Sequence, residues 1–183
     1  TRTSPESKCQ QWIREFVWLA NKHLVVLDIV QTPKPEVRRQ WQLHATSRPR
    51  VGDHLLTMTG RPPEQSWAKP ALQPKNEEGR LFCQTLLPRD YRLILHGDGK
   101  AEAFDPAGKS LGPVAGNANH RKYGQQVVQI DPGIVHSQTV FLHVLTATEA
   151  GETVPPEATC RISGPGEIEV AVDGTKTSLT VPQ

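Results

Sequence analysis

The chain has 183 residues, with 21 basic and 19 acidic side chains and a formal net charge of +2 at pH 7. This near balance argues against a nucleic-acid interface or a membrane-surface patch, and no apolar run approaches the ~20 residues of a membrane span. We expect residues 1–183 to form one domain, with residues 1–10 frayed. Because the sequence begins at Thr1 without a signal peptide, we expect a mature product or an excised fragment.

The first quarter of the chain predicts a meander of three strands. Ile13–Leu19 alternates between two faces, and a turn leads into the apolar run His23–Val30. Pro33 and Pro35 cannot donate ladder hydrogen bonds, so the chain leaves the sheet there. Val37–Ala45 then alternates cleanly, which predicts a strand beside His23–Val30 in an antiparallel hairpin.

The remaining strands are short and separated by turns rich in glycine and proline. Their spacing predicts an all-β, two-layer antiparallel β-sandwich of about twelve strands. The later strands are predicted at His54–Thr59, Gly79–Leu87, Tyr91–His96, Ala101–Phe104, Gln125–Ile130, Thr139–Thr148, Thr159–Ser163, Glu167–Val172 and Thr175–Val181.

Asp28 interrupts an apolar strand between Leu27 and Ile29. A buried carboxylate without a partner costs several kcal/mol, so Asp28 needs one. In the predicted hairpin, His44 lies opposite or diagonal to Asp28 and within reach. Two interpretations stay open: a structural Asp–His or Asp–Arg pair, or a metal site with Asp28 and His44 as ligands, which would suit zinc.

Two polar loops supply further candidate residues. Trp67 lies in a long proline-containing loop, where it either pins the loop or lies against a sugar ring or partner domain. His120, Arg121 and Tyr123 lie in NANHRKYG, a cluster suited to an acidic sugar or simply solvated. The sequence contains no serine-triad motif, and carboxylate pairs for glycoside hydrolysis cannot be assigned without spatial separations.

Five segments in order resemble the C-terminal β-sandwich of heparinase II/III-type polysaccharide lyases. They are Arg14-Glu15-Phe16, LVVLDIV at 24–30, QWQLHATSRP at 40–49, GRLFCQTLLP at 79–88 and FLHVL at 141–145. The resemblance covers about three quarters of the chain and implies a sandwich fold. It also implies a periplasmic or secreted protein acting on uronic-acid-containing, acidic polysaccharide.

Members of this family cleave their substrates by β-elimination: a base removes the proton α to the uronate carboxylate, and the 4-linked sugar leaves. Their acid and base residues lie chiefly in an N-terminal helical toroid that this chain lacks. The resemblance therefore implies a domain that supports and lines the substrate cleft. The competing interpretation is a stand-alone carbohydrate-binding or structural module. No nucleic-acid or membrane partner is expected.

Some family members hold a zinc in the sandwich through two histidines and one aspartate. The resemblance places Asp28 and His44 at two of these positions and implies a structural zinc. The other histidine is expected near residues 8–12, where this sequence reads KCQQW. Cys9 or His23 is the candidate substitute.

Overall fold

The computed structural model describes residues 9–45, 48–60, 79–96, 102–104, 109–113, 126–133, 136–149 and 151–182. Fourteen β-strands and no helix form within these ranges, so no described helix is long and apolar enough to cross a membrane. The all-β prediction is confirmed. The strands are β1 (Gln11–Leu19), β2 (His23–Gln31), β3 (Trp41–Ala45), β4 (Arg50–Gly52), β5 (Leu55–Gly60), β6 (Gly79–Leu87), β7 (Arg92–His96), β8 (Glu102–Phe104), β9 (Ser110–Pro113), β10 (Gln126–Asp131), β11 (Gln138–Glu149), β12 (Ala158–Gly164), β13 (Glu167–Val172) and β14 (Thr175–Thr180).

A six-stranded sheet in the order β1-β2-β11-β6-β5-β4 forms the centre of the fold. All neighbouring strands in it are antiparallel. β1 and β2 form a hairpin whose turn contains Ala20 at φ 49° and Asn21 at φ 54°. Two successive positive φ values are the signature of a type I′ turn, whose twist matches that of the flanking strands. The meander predicted for these two strands is confirmed.

A three-stranded sheet in the order β3-β10-β7 covers one face of the central sheet. Trp41 and Ile130 from this small sheet form a buried cluster with Phe141 of β11 and with Leu56 and Met58 of β5. Because this cluster draws on both sheets, the two layers are held together by apolar burial across their shared face.

A second three-stranded sheet, in the order β12-β13-β14, covers the opposite face. Leu142 and Val144 alternate with Phe141 along β11 and so point to the other side of the sheet. There they pack with Val170 and Leu179 in a second buried cluster. The sandwich prediction is confirmed, and the C-terminal strands add a third layer to it. β8 and β9 pair separately as a two-stranded ribbon.

The hairpin predicted between His23–Val30 and Val37–Ala45 is wrong. β2 pairs with β1 and β11, whereas β3 pairs with β10 in the other sheet. Between them, residues 32–40 cross from one layer to the next, and Arg39 stabilises this crossing by donating to the Thr32 hydroxyl and to the carbonyl of Pro35. Val30 of β2 packs against the cluster that contains Trp41 of β3, so both strands contribute to one core from different layers. A pattern of period two does not distinguish this arrangement from pairing in one sheet.

Candidate functional site

Asp28 lies in the middle of β2, and only 2% of it is exposed. Arg14 lies directly opposite on β1. Its Nε donates to Asp28 Oδ1 at 2.6 Å, and a terminal nitrogen donates to Oδ2 at 3.0 Å. The indole Nε1 of Trp12 also donates to Oδ1, at 2.8 Å. The partner that burial of Asp28 requires is therefore an arginine of the neighbouring strand, the Asp–Arg alternative that the sequence left open.

His44 does not lie with Asp28. It is exposed on β3, which belongs to the other sheet. The ion pair of Asp28 is formed with Arg14, which corrects the predicted Asp28–His44 pair. The reason is the crossing of residues 32–40, which moves β3 out of the sheet that contains β2.

These residues, as arranged, do not fit a zinc site. Both carboxylate oxygens of Asp28 accept from Arg14, whose positive charge opposes a divalent cation at the same atoms. His23, a candidate substitute ligand, lies instead against the Thr146 hydroxyl at 2.8 Å and the Asp173 carboxylate at 3.5 Å. Within the described ranges, no group of three His, Cys, Asp or Glu side chains could hold a metal ion. Zinc binding itself stays a prediction for elemental analysis.

A cavity of about 360 Å³ opens above Asp28, and we refer to it as the Asp28 cavity. One side is the face of β1 and β2 that carries Trp12 and Arg14, and the opposite side is the crossing segment that leads into Trp41. The Arg14 guanidinium carbon lies 5.1 Å from the centre of the Trp12 ring, a cation–π contact. The lining residues are Cys9, Trp12, Arg14, Asp28, Val30, Thr32, Val37, Arg38, Arg39, Gln40, Trp41 and Phe141.

The cavity exists because the small sheet does not extend over β1. The buried cluster on this face draws on β5, β6 and β11 but on no residue of β1. The aromatic side chains on that face of β1 therefore remain exposed: Trp12 at 62%, Phe16 at 59% and Trp18 at 65%. An exposed indole beside a guanidinium presents both an apolar ring face and hydrogen-bond donors to a ligand.

A second cavity of about 350 Å³ adjoins the first, since both are lined by Val37, Arg38 and Arg39. We refer to it as the Asp131 cavity. A terminal nitrogen of Arg38 donates to Asp131 Oδ2 at 2.8 Å, and a terminal nitrogen of Arg92 donates to the same oxygen at 3.3 Å. The backbone N–H of Gly133 donates to Oδ1 at 3.0 Å. One carboxylate thus positions two guanidinium groups.

Burial of Asp131 would raise its pKa, but its hydrogen-bond donors have the larger combined effect. The hydrogen bond and charge of Arg38, the Gly133 N–H and the hydrogen bond from Arg92 together lower the pKa of this carboxyl below its usual value. Asp131 is therefore ionised at neutral pH and keeps both arginines in place.

Trp41 and His143 stack behind the Asp28 cavity, with ring centres 3.8 Å apart. His143 is fully buried, and its Nδ1 lies 3.2 Å from the Thr85 hydroxyl. Burial, with a smaller contribution from the charge of Arg14, lowers the pKa of His143 to about 3. The imidazole is thus neutral at physiological pH and serves as a packed ring under Trp41.

The loop residues predicted to contact substrate, Trp67, His120, Arg121 and Tyr123, all lie outside the described residues. The structure instead brings Trp12, Arg14, Arg38 and Arg39 together with Asp28, and only Asp28 was predicted to belong to a site. Trp12 and Arg14 alternate along one strand, and Arg38-Arg39 follow the two prolines of the crossing. These two patterns are the signals that could have indicated a cationic groove.

The chain is similar in fold to a heparan sulfate lyase. The crystal structure of heparan sulfate lyase HepC from Pedobacter heparinus matches with a TM-score of 0.52 and 16% sequence identity. A mutant of the same enzyme matches with a TM-score of 0.51 and 15% identity. Each match covers 93% of this chain.

This chain spans only 24% of the length of the lyase chain that it matches. No protein-family model matches the sequence, and neither does any curated protein. At this level of identity the likeness concerns the fold, and it agrees with the sandwich that the resemblance to polysaccharide lyases implied.

Proposed function

We propose that this chain is the C-terminal sandwich domain of a heparinase II/III-type polysaccharide lyase, and that it binds acidic polysaccharide beside the catalytic domain. The similarity to a quarter of a heparan sulfate lyase supports this role, because a domain of this size is one part of such an enzyme. The base and acid of the β-elimination belong, in this proposal, to a helical toroid outside the chain. We place the protein in the periplasm or outside the cell.

The observation that carries the proposal is an exposed tryptophan together with four arginines that line two neighbouring cavities. Trp12 and Arg14 line the Asp28 cavity, Arg38 and Arg39 line both, and Arg92 lines the Asp131 cavity. Sulfate and carboxylate groups are the preferred partners of the guanidinium fork. An indole face packs well against the apolar face of a sugar ring.

Each residue has a distinct part in binding. Arg14 is held by both oxygens of Asp28, so its remaining N–H donors point in a fixed direction and lose little entropy when a ligand binds. Trp12 is tied to the same carboxylate through its indole nitrogen. A pre-organised ring and a pre-organised guanidinium on one strand can orient a uronate-containing chain toward a catalytic centre in the neighbouring domain.

The loop residues Trp67, His120, Arg121 and Tyr123 are proposed to extend this surface. They provide one aromatic ring, one phenol, one imidazole and one guanidinium, all chemically suited to a charged glycan. Substitution of Arg121 by Gln in the full-length protein tests their contribution through the affinity for acidic oligosaccharide.

An elimination assay tests whether catalysis belongs to another domain and binding to this one. We expect the isolated 183-residue chain to give no rise in absorbance at the unsaturated-uronate band with acidic polysaccharide. The complete gene product should give one, and its Trp12→Ala variant should show a raised KM with kcat nearly unchanged. Turnover by the isolated chain would refute the assignment of catalysis to another domain. Binding without any adjoining lyase domain in the gene would favour the stand-alone carbohydrate-binding module.

A further inference from the structure

The Asp131 cavity contains two arginines that converge on one carboxylate. Arg38 and Arg92 both donate to Asp131 Oδ2. The Asp131 side chain is 8% exposed, whereas those of Arg38 and Arg92 are 47% and 68% exposed. The carboxylate thus lies beneath two guanidinium groups that reach solvent.

One carboxylate balances the charge of one guanidinium, so the Arg38–Asp131–Arg92 group retains one positive charge. Arg92 uses a terminal nitrogen for Asp131, and a guanidinium has five N–H donors in a planar fork. An anionic group with several oxygens could therefore accept from Arg92 without breaking its contact with Asp131. Glu36 also lines this cavity and opposes an anion there.

The Arg38–Asp131–Arg92 group lies next to the Asp28 cavity. Arg38 lines both cavities. A ligand that occupies both cavities would therefore contact Arg38 as well as Trp12 and Arg92. A glycan with an anionic group on a single sugar would fill the Asp28 cavity alone, whereas a more highly charged chain would fill both.

We propose that Arg38, Asp131 and Arg92 form a second anion subsite, which takes a sulfate or carboxylate group on the sugar residue adjacent to the one at Trp12. Asp131 is the positioning residue, and Arg92 contacts the ligand. This inference rests on the proposed function of the Asp28 cavity and adds a specificity to it: preference for glycans with anionic groups on neighbouring sugars.

Titration calorimetry with a heparan sulfate hexasaccharide tests this subsite. Arg92→Gln should lower the affinity of the full-length protein about tenfold, the loss of one charge-assisted contact. Arg161→Gln is the matched control, because Arg161 is equally exposed at 68% and also pairs with one carboxylate, Glu169, but lines neither cavity. This control should bind like wild type. The same comparison of wild type with Arg92→Gln is then made with a desulfated and with a carboxyl-reduced hexasaccharide. The result identifies whether the subsite binds a sulfate or a carboxylate group.

Asp131→Asn separates positioning from simple charge. It makes the cavity more positive, so a purely electrostatic attraction predicts tighter binding. Positioning predicts weaker binding, because a neutral amide is a weaker common acceptor for Arg38 and Arg92 than the carboxylate. Tighter binding by a folded Asp131→Asn variant, or wild-type affinity in Arg92→Gln, would overturn the subsite while leaving the proposed function intact. Absence of any hexasaccharide binding by the wild-type protein would instead refute the proposed function itself.

Discussion

Arg14 and Asp28 face each other across β1 and β2, and the guanidinium contacts both oxygens of the buried carboxylate, at 2.6 and 3.0 Å. The pair connects the edge strand to the core and at the same time orients the cation of the Asp28 cavity. Structure and proposed binding therefore depend on the same two side chains.

Replacing Arg14 by Gln should lower the free energy of unfolding by about 2–3 kcal/mol, because it leaves a buried carboxylate without its charged partner. The value lies below that of a fully buried pair, since the Arg14 side chain is 40% exposed. Asp28→Asn should lower the free energy of unfolding by less than Arg14→Gln, because it leaves no charged carboxylate in the buried position. Urea denaturation measures both, with Arg161→Gln as the exposed control. Equal effects of Arg14→Gln and Arg161→Gln would contradict the structural role.

The buried His143 predicts a pH-dependent stability. Its pKa in the folded protein is about 3, whereas in the unfolded chain it is near 6.5. The unfolded state therefore binds the extra proton first, so the stabilisation is complete above pH ~6.5 and declines as the pH falls toward 3. Between these two pKa values, His143 changes the free energy of unfolding by at most about 1.4 kcal/mol per pH unit. Denaturation at several pH values should show a smaller slope for His143→Gln than for the wild-type protein, and equal slopes would contradict this role of His143.

The third layer should contribute to stability like any packed core. Leu179 on β14 is only 3% exposed and belongs to the cluster with Leu142 and Val144. Leu179→Ala should cost about 2–5 kcal/mol through lost burial and the cavity left behind. Ile162→Ala on β12 is the control, because Ile162 is 81% exposed. Thermal denaturation that shows the same small effect for both variants would mean that the C-terminal sheet does not pack as described.

Trp12, which lines the Asp28 cavity, should contribute more to binding than Trp18, which lies on the same strand. Trp12→Ala should weaken the affinity for acidic oligosaccharide about tenfold or more, whereas Trp18→Ala should leave it unchanged. The two side chains are similarly exposed, at 62% and 65%, but only Trp12 lines the cavity. Trp12→Phe removes the hydrogen bond to Asp28 but keeps an aromatic face, so an intermediate affinity would separate the two contributions.

Much of the fold could be predicted because alternation and turn residues are local signals. The β1–β2 hairpin and the three C-terminal strands follow from such patterns, to within a few residues at their ends. The partner of β3 could not be predicted in this way. Trp41 and Val30 are apolar because they face the same core from opposite layers, and a pattern of period two does not distinguish that from pairing in one sheet.

The candidate site was predictable only in part. The burial of Asp28 followed from its apolar neighbours, and with it the need for a partner. The identity of that partner depends on which strands pair: β1 places Arg14 opposite Asp28, whereas β3, with His44, pairs with β10 in the other sheet. The Asp131 cavity joins residues from β7, β10 and the crossing segment, up to 93 positions apart in the chain. Only the tertiary arrangement of the sheets reveals such a cluster.

Direct binding of the isolated chain to acidic and neutral oligosaccharides of equal length tests the central claim. We expect saturable binding of a heparan sulfate hexasaccharide that weakens with added salt, because arginines hold its anionic groups. A neutral hexasaccharide should not bind, and the Trp12→Ala and Arg38→Gln variants should lose most of the affinity. Equal affinity for the charged and neutral ligands, or binding unaffected by either substitution, would contradict the proposal that these cavities recognise acidic polysaccharide.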